Sequence, residues 1–486
     1  MAGLALQSPD PAWCSYNREY RCAGKMSVVS PQFSFDVSEG NECMFANWLR
    51  ASILRGEAMS RSRSCLGEVC VRTWPLYGQI VALLLAGLVT ACGSAAEPFP
   101  APPPNAIASG PPLVIGVPLA ITGSLAAEGN LTKNGYDLWP DEVNKAGGIR
   151  VGRQRRMVQI KYYDDESDAQ KSAQFAERLI LEEGVRLLLG PSGSAATTRV
   201  AEIAERYQVP MVEGNGAAES VFSRGYKYTF GVLSPAQQYA AVMVALAAQQ
   251  NTKPTSIAIL FASDAFSVEV AEGAKAYAQS QGIKVLVYER YQVNSTDLSG
   301  GVTAAKVAGA EMLLNSGHLV ESLAIMKAAK ELDYNPKLFP LTVGPATPDF
   351  IQSLGEDAEY VVTSSQWADT VQYRGTDIFG TSQRYVELYW EKFDSDPDYY
   401  VAGGTAAAIA LQASIEKAGS LDSEKIRDAS ASLDMMTFCG QVKFDQRGLN
   451  IYKPMLVQQI QDDKLVTVWP PNGSERPVRY PTPPWR

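Results

Sequence analysis

Gly184-Val-Arg-Leu-Leu-Leu-Gly-Pro-Ser-Gly-Ser-Ala-Ala-Thr-Thr-Arg-Val-Ala-Glu-Ile-Ala-Glu-Arg-Tyr207 reads as a strand, a tight turn and a helix in succession. Residues 185–189 form a short apolar run of the kind that makes a buried parallel strand. Gly190, Pro191, Ser192 and Gly193 interrupt it, and Ser194 stands where a helix N-cap is expected. Behind it Val200, Ile203, Ala204 and Tyr207 recur at i, i+3, i+4 and i+7, one apolar face of a helix. The first-turn N–H groups of a helix have no intrahelical partners and carry partial positive charge. A strand–turn–helix of this form therefore attracts a carboxylate or phosphate at Ser194, or else Ser194 serves only as a cap.

The front of the chain reads differently. Residues 80–91 are apolar, too few for a transmembrane helix, which takes about 20. With Arg61, Arg63 and Arg72 before them they match the hydrophobic region of an export signal at 59–91. Val89-Thr-Ala-Cys92 resembles a bacterial lipobox, which predicts lipidation of Cys92; the alternative is ordinary cleavage near Ala91. Met59 is the better start for such a signal, so residues 1–58 read as a mis-called or disordered extension. Residues 92–112, rich in Ala and Pro, read as a tether. Six of the seven cysteines lie at or before residue 92, so the mature chain would keep Cys92 and Cys439, and with Cys92 lipidated no internal disulfide is possible. Without residues 1–91 the chain carries 35 Lys and Arg against 45 Asp and Glu. That balance argues against nucleic acid as a partner, which requires a basic stripe.

From residue 113 strands and helices alternate. Strands are expected at 113–118, 158–163, 185–189 and 209–212. Helices are expected at 132–145, with Pro140 inside, at 169–182, where Phe175, Leu179 and Leu181 are apolar, and from Ser194. Residues 120–129 read as a loop, and Asp164 and Asp165 as helix-capping and loop-pinning groups. A second array follows Pro235: helix to 249, strand 257–261, helix to 280, strand 284–291, a short helix at 300–307, strand 312–314, helix 319–332 and strand 338–342. Two such arrays in series imply an α/β protein of two doubly wound lobes. The tail reads as three helices (376–395, 399–418, 422–433), then antiparallel strands at 442–444, 455–460 and 465–468 and a Pro-rich end.

Several stretches, in this order, resemble the branched-chain amino acid (leucine/isoleucine/valine-binding) family of type I periplasmic binding proteins. They are Ile115-Gly-Val-Pro-Leu-Ala-Ile-Thr-Gly-Ser-Leu-Ala-Ala-Glu-Gly129, Asn144-Lys-Ala-Gly-Gly-Ile149, Tyr163-Asp-Asp165, Leu189-Gly-Pro-Ser-Gly-Ser194, Gly419-Ser-Leu-Asp422 and Thr437-Phe-Cys-Gly-Gln-Val-Lys-Phe-Asp445. The resemblance implies two lobes, 113–235 with 363–437 and 236–362 with 438–486, joined by three crossings near 233–236, 362–365 and 437–440. A ligand would lie between them. It further implies that Ser194 holds a ligand carboxylate, that Asn215 and Ala217 supply contacts from the next loop, and that Phe266 and His318 face the ligand from the second lobe. Glu128 falls where close relatives cap the pocket with an aromatic residue. Trp367 either walls the pocket or packs the hinge. Relatives that bind α-amino acids carry an acid after the strand that here ends at Thr342; this chain has Val343-Gly-Pro-Ala346, so Glu128 meets an ammonium or the ligand has none there. The implied partners are a small ligand, an amino acid first and otherwise an amide or an aromatic or aliphatic carboxylate, with ABC permease subunits and the membrane through a lipid anchor. The implied location is outside the cytoplasm.

Catalytic signals are missing from the sequence. Gly190-Pro-Ser-Gly-Ser194 lacks the last glycine of a nucleophile elbow, and His318 is the only histidine. There is no phosphate-binding Gly-rich loop ending in Lys-Ser/Thr and no His/Cys cluster at metal spacing, so neither cofactor nor metal is expected. An exported hydrolase and the binding lobe of a sensor are the rival readings.

Overall fold

The computed structural model describes residues 110–485. The extension at 1–58, the signal at 59–91, Cys92 and nearly all of the tether lie outside the described residues.

The first sheet follows the alternation read from the sequence. β1 (Leu113–Leu119) leads to α1 (Ala126–Lys145), the hairpin β2 (Ile149–Val151) and β3 (Gln154–Arg156), and β4 (Val158–Asp164). Then come α2 (Ala169–Leu181), β5 (Leu188–Leu189), α3 (Ser194–Tyr207), β6 (Met211–Glu213), the single turn α4 (Glu219–Phe222) and β7 (Thr229–Gly231). The strands lie in the order β4-β1-β5-β6-β7, all parallel. Ile115, Val117 and Leu119 are fully buried in the core between sheet and helices.

Three details differ from expectation. α1 starts at Ala126, so Glu128 lies on a helix and not in a loop. Gly129 masked that turn, because glycine weakens a helix by about 1 kcal/mol. It is needed there because a Cβ would stand 1.7 Å from the carbonyl oxygen of Ala120. Pro140 sits inside α1 without ending it. On α2 the buried face is Ser172, Ala173, Ala176, Leu179 and Ile180, so Leu181 is 61% exposed.

The second sheet is built from α5 (Ala236–Ala248), β8 (Ser256–Ala262), α6 (Ala265–Ser280), β9 (Lys284–Tyr291), α7 (Ser299–Val307), β10 (Leu313–Ser316) and α8 (Leu319–Glu331). Its parallel core is ordered β10-β8-β9. The strand expected at 338–342 appears only as single bridges, Met312 to Leu338, Asn315 to Leu341 and Pro340 to Val362. Pro340 has no N–H to give a ladder. Two elements outside the sequence reading follow, α9 (Pro348–Leu354) and β11 (Val362–Ser365).

α10 (Ser382–Phe393), α11 (Tyr399–Ala418) and α12 (Ser423–Ala431) are the three tail helices. α10 starts later than position 376, at a cap where Thr381 Oγ1 accepts from Arg384 N–H at 3.1 Å. α11 lies against α1: Thr405 Oγ1 donates to the Gly135 carbonyl at 2.8 Å. The hairpin of β12 (Asp434–Thr437) and β13 (Gly440–Lys443) follows, and β14 (Leu456–Gln461) joins β11 and β15 (Lys464–Trp469) in antiparallel pairs. The Pro-rich end packs on the second sheet, with Trp485 Nε1 donating to Tyr334 O at 3.0 Å. Among the described residues no helix is long and apolar enough to cross a membrane.

Candidate functional site

The loops at the carboxyl ends of β1, β5, β6 and β10, joined by the first turns of α1, α6 and α11, enclose a cavity of about 40 Å³. This is where open α/β sheets present ligand sites. Three larger surface hollows, of about 390, 460 and 680 Å³, lie elsewhere; Lys330 pairs with Asp357 in the second and Arg447 with Asp445 in the third.

The turn after β5 sets the anion pole. Gly193 has φ 80° and occupies the N-cap position, so Ser194 is the first helical residue, not the cap expected from the spacing. Only glycine adopts such a φ without strain, and the turn tightens enough to place the free N–H groups of α3 at the cavity. Ser194 is buried and its Oγ accepts from Ala218 N–H at 3.0 Å, which leaves its own hydrogen free for a ligand oxygen. Ser192 Oγ is buried with no partner.

The loop after β6 is held by Glu213, which the sequence reading missed. Its buried carboxyl accepts from Thr197 Oγ1 at 2.9 Å and from the N–H groups of Asn215 and Gly216. Burial pushes its pKa up to about 8, against the opposing pull of those hydrogen bonds. A lone acid between an apolar strand and Gly214-Asn-Gly216 was the available signal. Asn215 donates through Nδ2 to Thr132 Oγ1 at 2.8 Å and to Tyr400 O at 3.2 Å, while its Oδ1 is buried without a partner. Ala217 lines the cavity and its carbonyl accepts from Ala236 N–H at 2.9 Å.

Glu128 closes the same side. It is 4% exposed and neither carboxyl oxygen has a partner. Burial raises its pKa, and the nearby positive His318 pulls it back in part. From the second sheet, His318 caps α8 and lies with Nε2 3.6 Å from Asp264 Oδ2. Burial works against charging His318, but the Asp264 carboxylate outweighs it and raises the imidazole to about 9. Asp264, the cap of α6, is correspondingly held down at about 2 despite its burial. Phe266 is buried against Tyr239, ring centroids 5.1 Å apart and perpendicular.

Tyr399 and Tyr400 wall the cavity from the start of α11, stacked 4.2 Å apart. Tyr400 Oη donates to Val343 O at 3.3 Å. Thus Ser194, Asn215, Ala217, Glu128, Phe266 and His318 all line one cavity. Trp367 does not: it is buried in an aromatic cluster, perpendicular to Tyr385 at 5.7 Å, with Nε1 donating to Phe438 O at 3.3 Å. Of its two expected roles only packing fits. Asp164 accepts from Ile121 and Thr122, as a loop-pinning group should, whereas the cap of α2 is Asp168. Among the described residues no group of three His, Cys, Asp or Glu could hold a metal ion.

A sequence profile described as periplasmic binding protein matches residues 112–464. Leu/Ile/Val-binding protein homolog 7 of Brucella abortus is 24% identical over 375 residues, which cover 74% of this chain and 92% of the relative. The leucine binding protein LivK of Thermotoga maritima superposes with a TM-score of 0.66 at 22% identity, over 73% of this chain and 97% of that one. The branched-chain amino acid transporter substrate binding protein LivJ of Streptococcus pneumoniae, solved with isoleucine, gives 0.66 at 19% identity, over 76% of this chain and all of that one. With the profile spanning both sheets and the cavity between them, the chain belongs to the periplasmic binding protein family.

Proposed function

We propose that this protein is the extracytoplasmic substrate-binding component of an ABC importer and that its ligand is a zwitterionic amino acid. The observation that carries the ligand class is the polarity of the cavity. The turn after β5 offers donors without partners, the first-turn N–H groups of α3 and the Ser194 hydroxyl. α1 and the loop after β6 offer three acceptor atoms without partners, both oxygens of Glu128 and Oδ1 of Asn215. An α-ammonium brings three N–H donors, and an α-carboxylate suits the free donors. Leaving those acceptors buried and unmet is costly, so a ligand that meets them gains free energy.

In this reading two lobes, 113–235 with 363–437 and 236–362 with 438–486, close on the ligand and present a joined surface to membrane permease subunits. Lipid on Cys92 holds the protein at the membrane. Mass spectrometry of the membrane fraction should find a mature chain starting at lipid-modified Cys92; an unlipidated start elsewhere refutes the anchor.

The ligand class is tested by calorimetry with amino acids, their deaminated carboxylates and small amides. Amino acids should bind and the deaminated acids should not. Binding of the carboxylates or amides in preference would transfer the site to an uptake system for those compounds. Ser194→Ala should weaken binding by roughly 1.5–3 kcal/mol, the range for a hydrogen bond to a charged group.

A further inference from the structure

Behind Leu233, which lines the cavity, segments 232–236, 365–367 and 437–453 meet at a junction tied by buried hydrogen bonds. Ser234 N–H donates to Gln366 Oε1 at 3.0 Å, and Gln366 Nε2 donates to Ser234 O at 3.2 Å. Ser234 Oγ donates to the Lys453 carbonyl at 2.7 Å. Asn450 Nδ2 reaches both Val232 O and Gln441 O. Every side chain in this set is neutral except one. Lys453 is 4% exposed, and its Nζ lies 3.0 Å from the sulfur of Cys439, itself 2% exposed.

A buried ammonium is ordinarily paired with a carboxylate, because isolation costs several kcal/mol. Here its hydrogen-bond partner is a thiol. The nearby Tyr373 hydroxyl is no substitute, since burial pushes its pKa up to about 12. The lysine nitrogen is thus already in contact with the atom that peroxide would oxidise.

We propose that Cys439 and Lys453 form a covalent redox pair, closing an S–N sulfenamide bridge when the protein meets hydrogen peroxide. In the first step the Cys439 sulfur attacks one peroxide oxygen and gives up its proton. The O–O bond breaks, hydroxide leaves and becomes water with that proton, and the sulfur is oxidised by two electrons to sulfenic acid. In the second, Lys453 Nζ gives its ammonium proton to solvent and its lone pair attacks that sulfur. The S–O bond breaks, and the hydroxyl departs as water with one amine proton. One peroxide, one thiol and one amine thus give one sulfenamide and two waters. Condensation of a sulfenic acid with nitrogen is a known end of this ladder, and a nitrogen already in contact with the sulfur competes well against further oxidation. The bridge would fix β13 and the segment before β14 at the junction that joins the two sheets.

The test uses the full chain, reduced, desalted, treated with hydrogen peroxide and digested. The expected product joins the Cys439 and Lys453 peptides, short of their summed mass by two hydrogens, and dithiothreitol separates it again. Lys453→Met should instead carry Cys439 on to sulfinic acid. Recovery from the unaltered chain of Cys439 as free thiol, or as sulfinic or sulfonic acid with Lys453 unmodified, overturns the proposal. That readout needs no variant, so poor folding of Lys453→Met cannot protect it.

Discussion

Replacing Glu128 by glutamine should move stability and affinity in opposite directions. The buried carboxyl has no partner for either oxygen, so the free protein carries its desolvation cost. Glu128→Gln should raise the melting temperature of the free protein while lowering amino acid affinity at least about tenfold, the loss of one charge-assisted hydrogen bond. Calorimetry paired with thermal melts would show both; a loss of stability with unchanged affinity would make Glu128 merely structural. The other titrating groups set a pH dependence. Glu213, raised to about 8, keeps its proton in the folded chain after the unfolded chain has ionised. Stability therefore falls as pH rises from about 4.5 through 8. His318, raised to about 9, contributes stability fully present below about 6.5 and lost as pH rises through 9, so the two act in the same direction. Melting temperature should decline across this whole window, and Glu213→Gln should flatten its acid half. Much of this site was legible, because Ser194, Phe266 and His318 each follow a strand end within a recognisable turn. Tyr399 and Tyr400 were not: they open a helix that reads as core along its length, and only the fold swings its first turn to the cavity. Glu213 reads as a solvated acid until the loop folds back over it.

At the scale of elements, apolar runs marked β1, β5 and β8 because parallel strands buried on both faces have no other composition open to them. What failed were positions whose backbone neighbours override local propensity. Gly129 reads as a loop residue and is a contact point; Pro340 reads as part of a strand and cannot complete one. The close approach of α1 to α11 is the clearest case of a contact invisible in sequence. A Cβ on Gly135 would lie 2.1 Å from the Val401 carbonyl oxygen, and Gly214 meets Gly403 at similar range. Since α1 carries Glu128 and α11 carries Tyr399 and Tyr400, this glycine-mediated contact sets the width of the cavity. Gly135→Ala favours helix in isolation yet should destabilise the protein by about 1–3 kcal/mol through overpacking. A lowered urea midpoint at constant slope would register it, whereas a raised midpoint would mean that the two helices separate freely.

For the whole molecule the question is what holds the two sheets' loops together over the cavity. Direct ties are visible at two places: Tyr400 Oη, on the helix layer of the first sheet, donates to Val343 O in a loop of the second, and the Glu269 carboxylate on α6 accepts from the N–H groups of Glu219 and Ser220 on α4. Val343 has φ 20°, an unusual value for a β-branched residue and a reservoir of strain. Opening the cleft would break the Tyr400 bond and let Val343 relax, so the two contributions oppose each other. A ligand bridging Ser194 and Glu128 to His318 shifts the population between open and closed forms by its differential contacts. X-ray scattering should give a smaller radius of gyration with saturating amino acid than without. Tyr400→Phe removes one neutral hydrogen bond, a net effect of about 0.5–1.5 kcal/mol. It should widen the difference between free and bound radii and weaken binding by up to about tenfold, because the ligand must then supply more of the closure itself. An identical radius with and without ligand, in the wild type and in Tyr400→Phe, would mean that the cavity fills without any motion of the lobes.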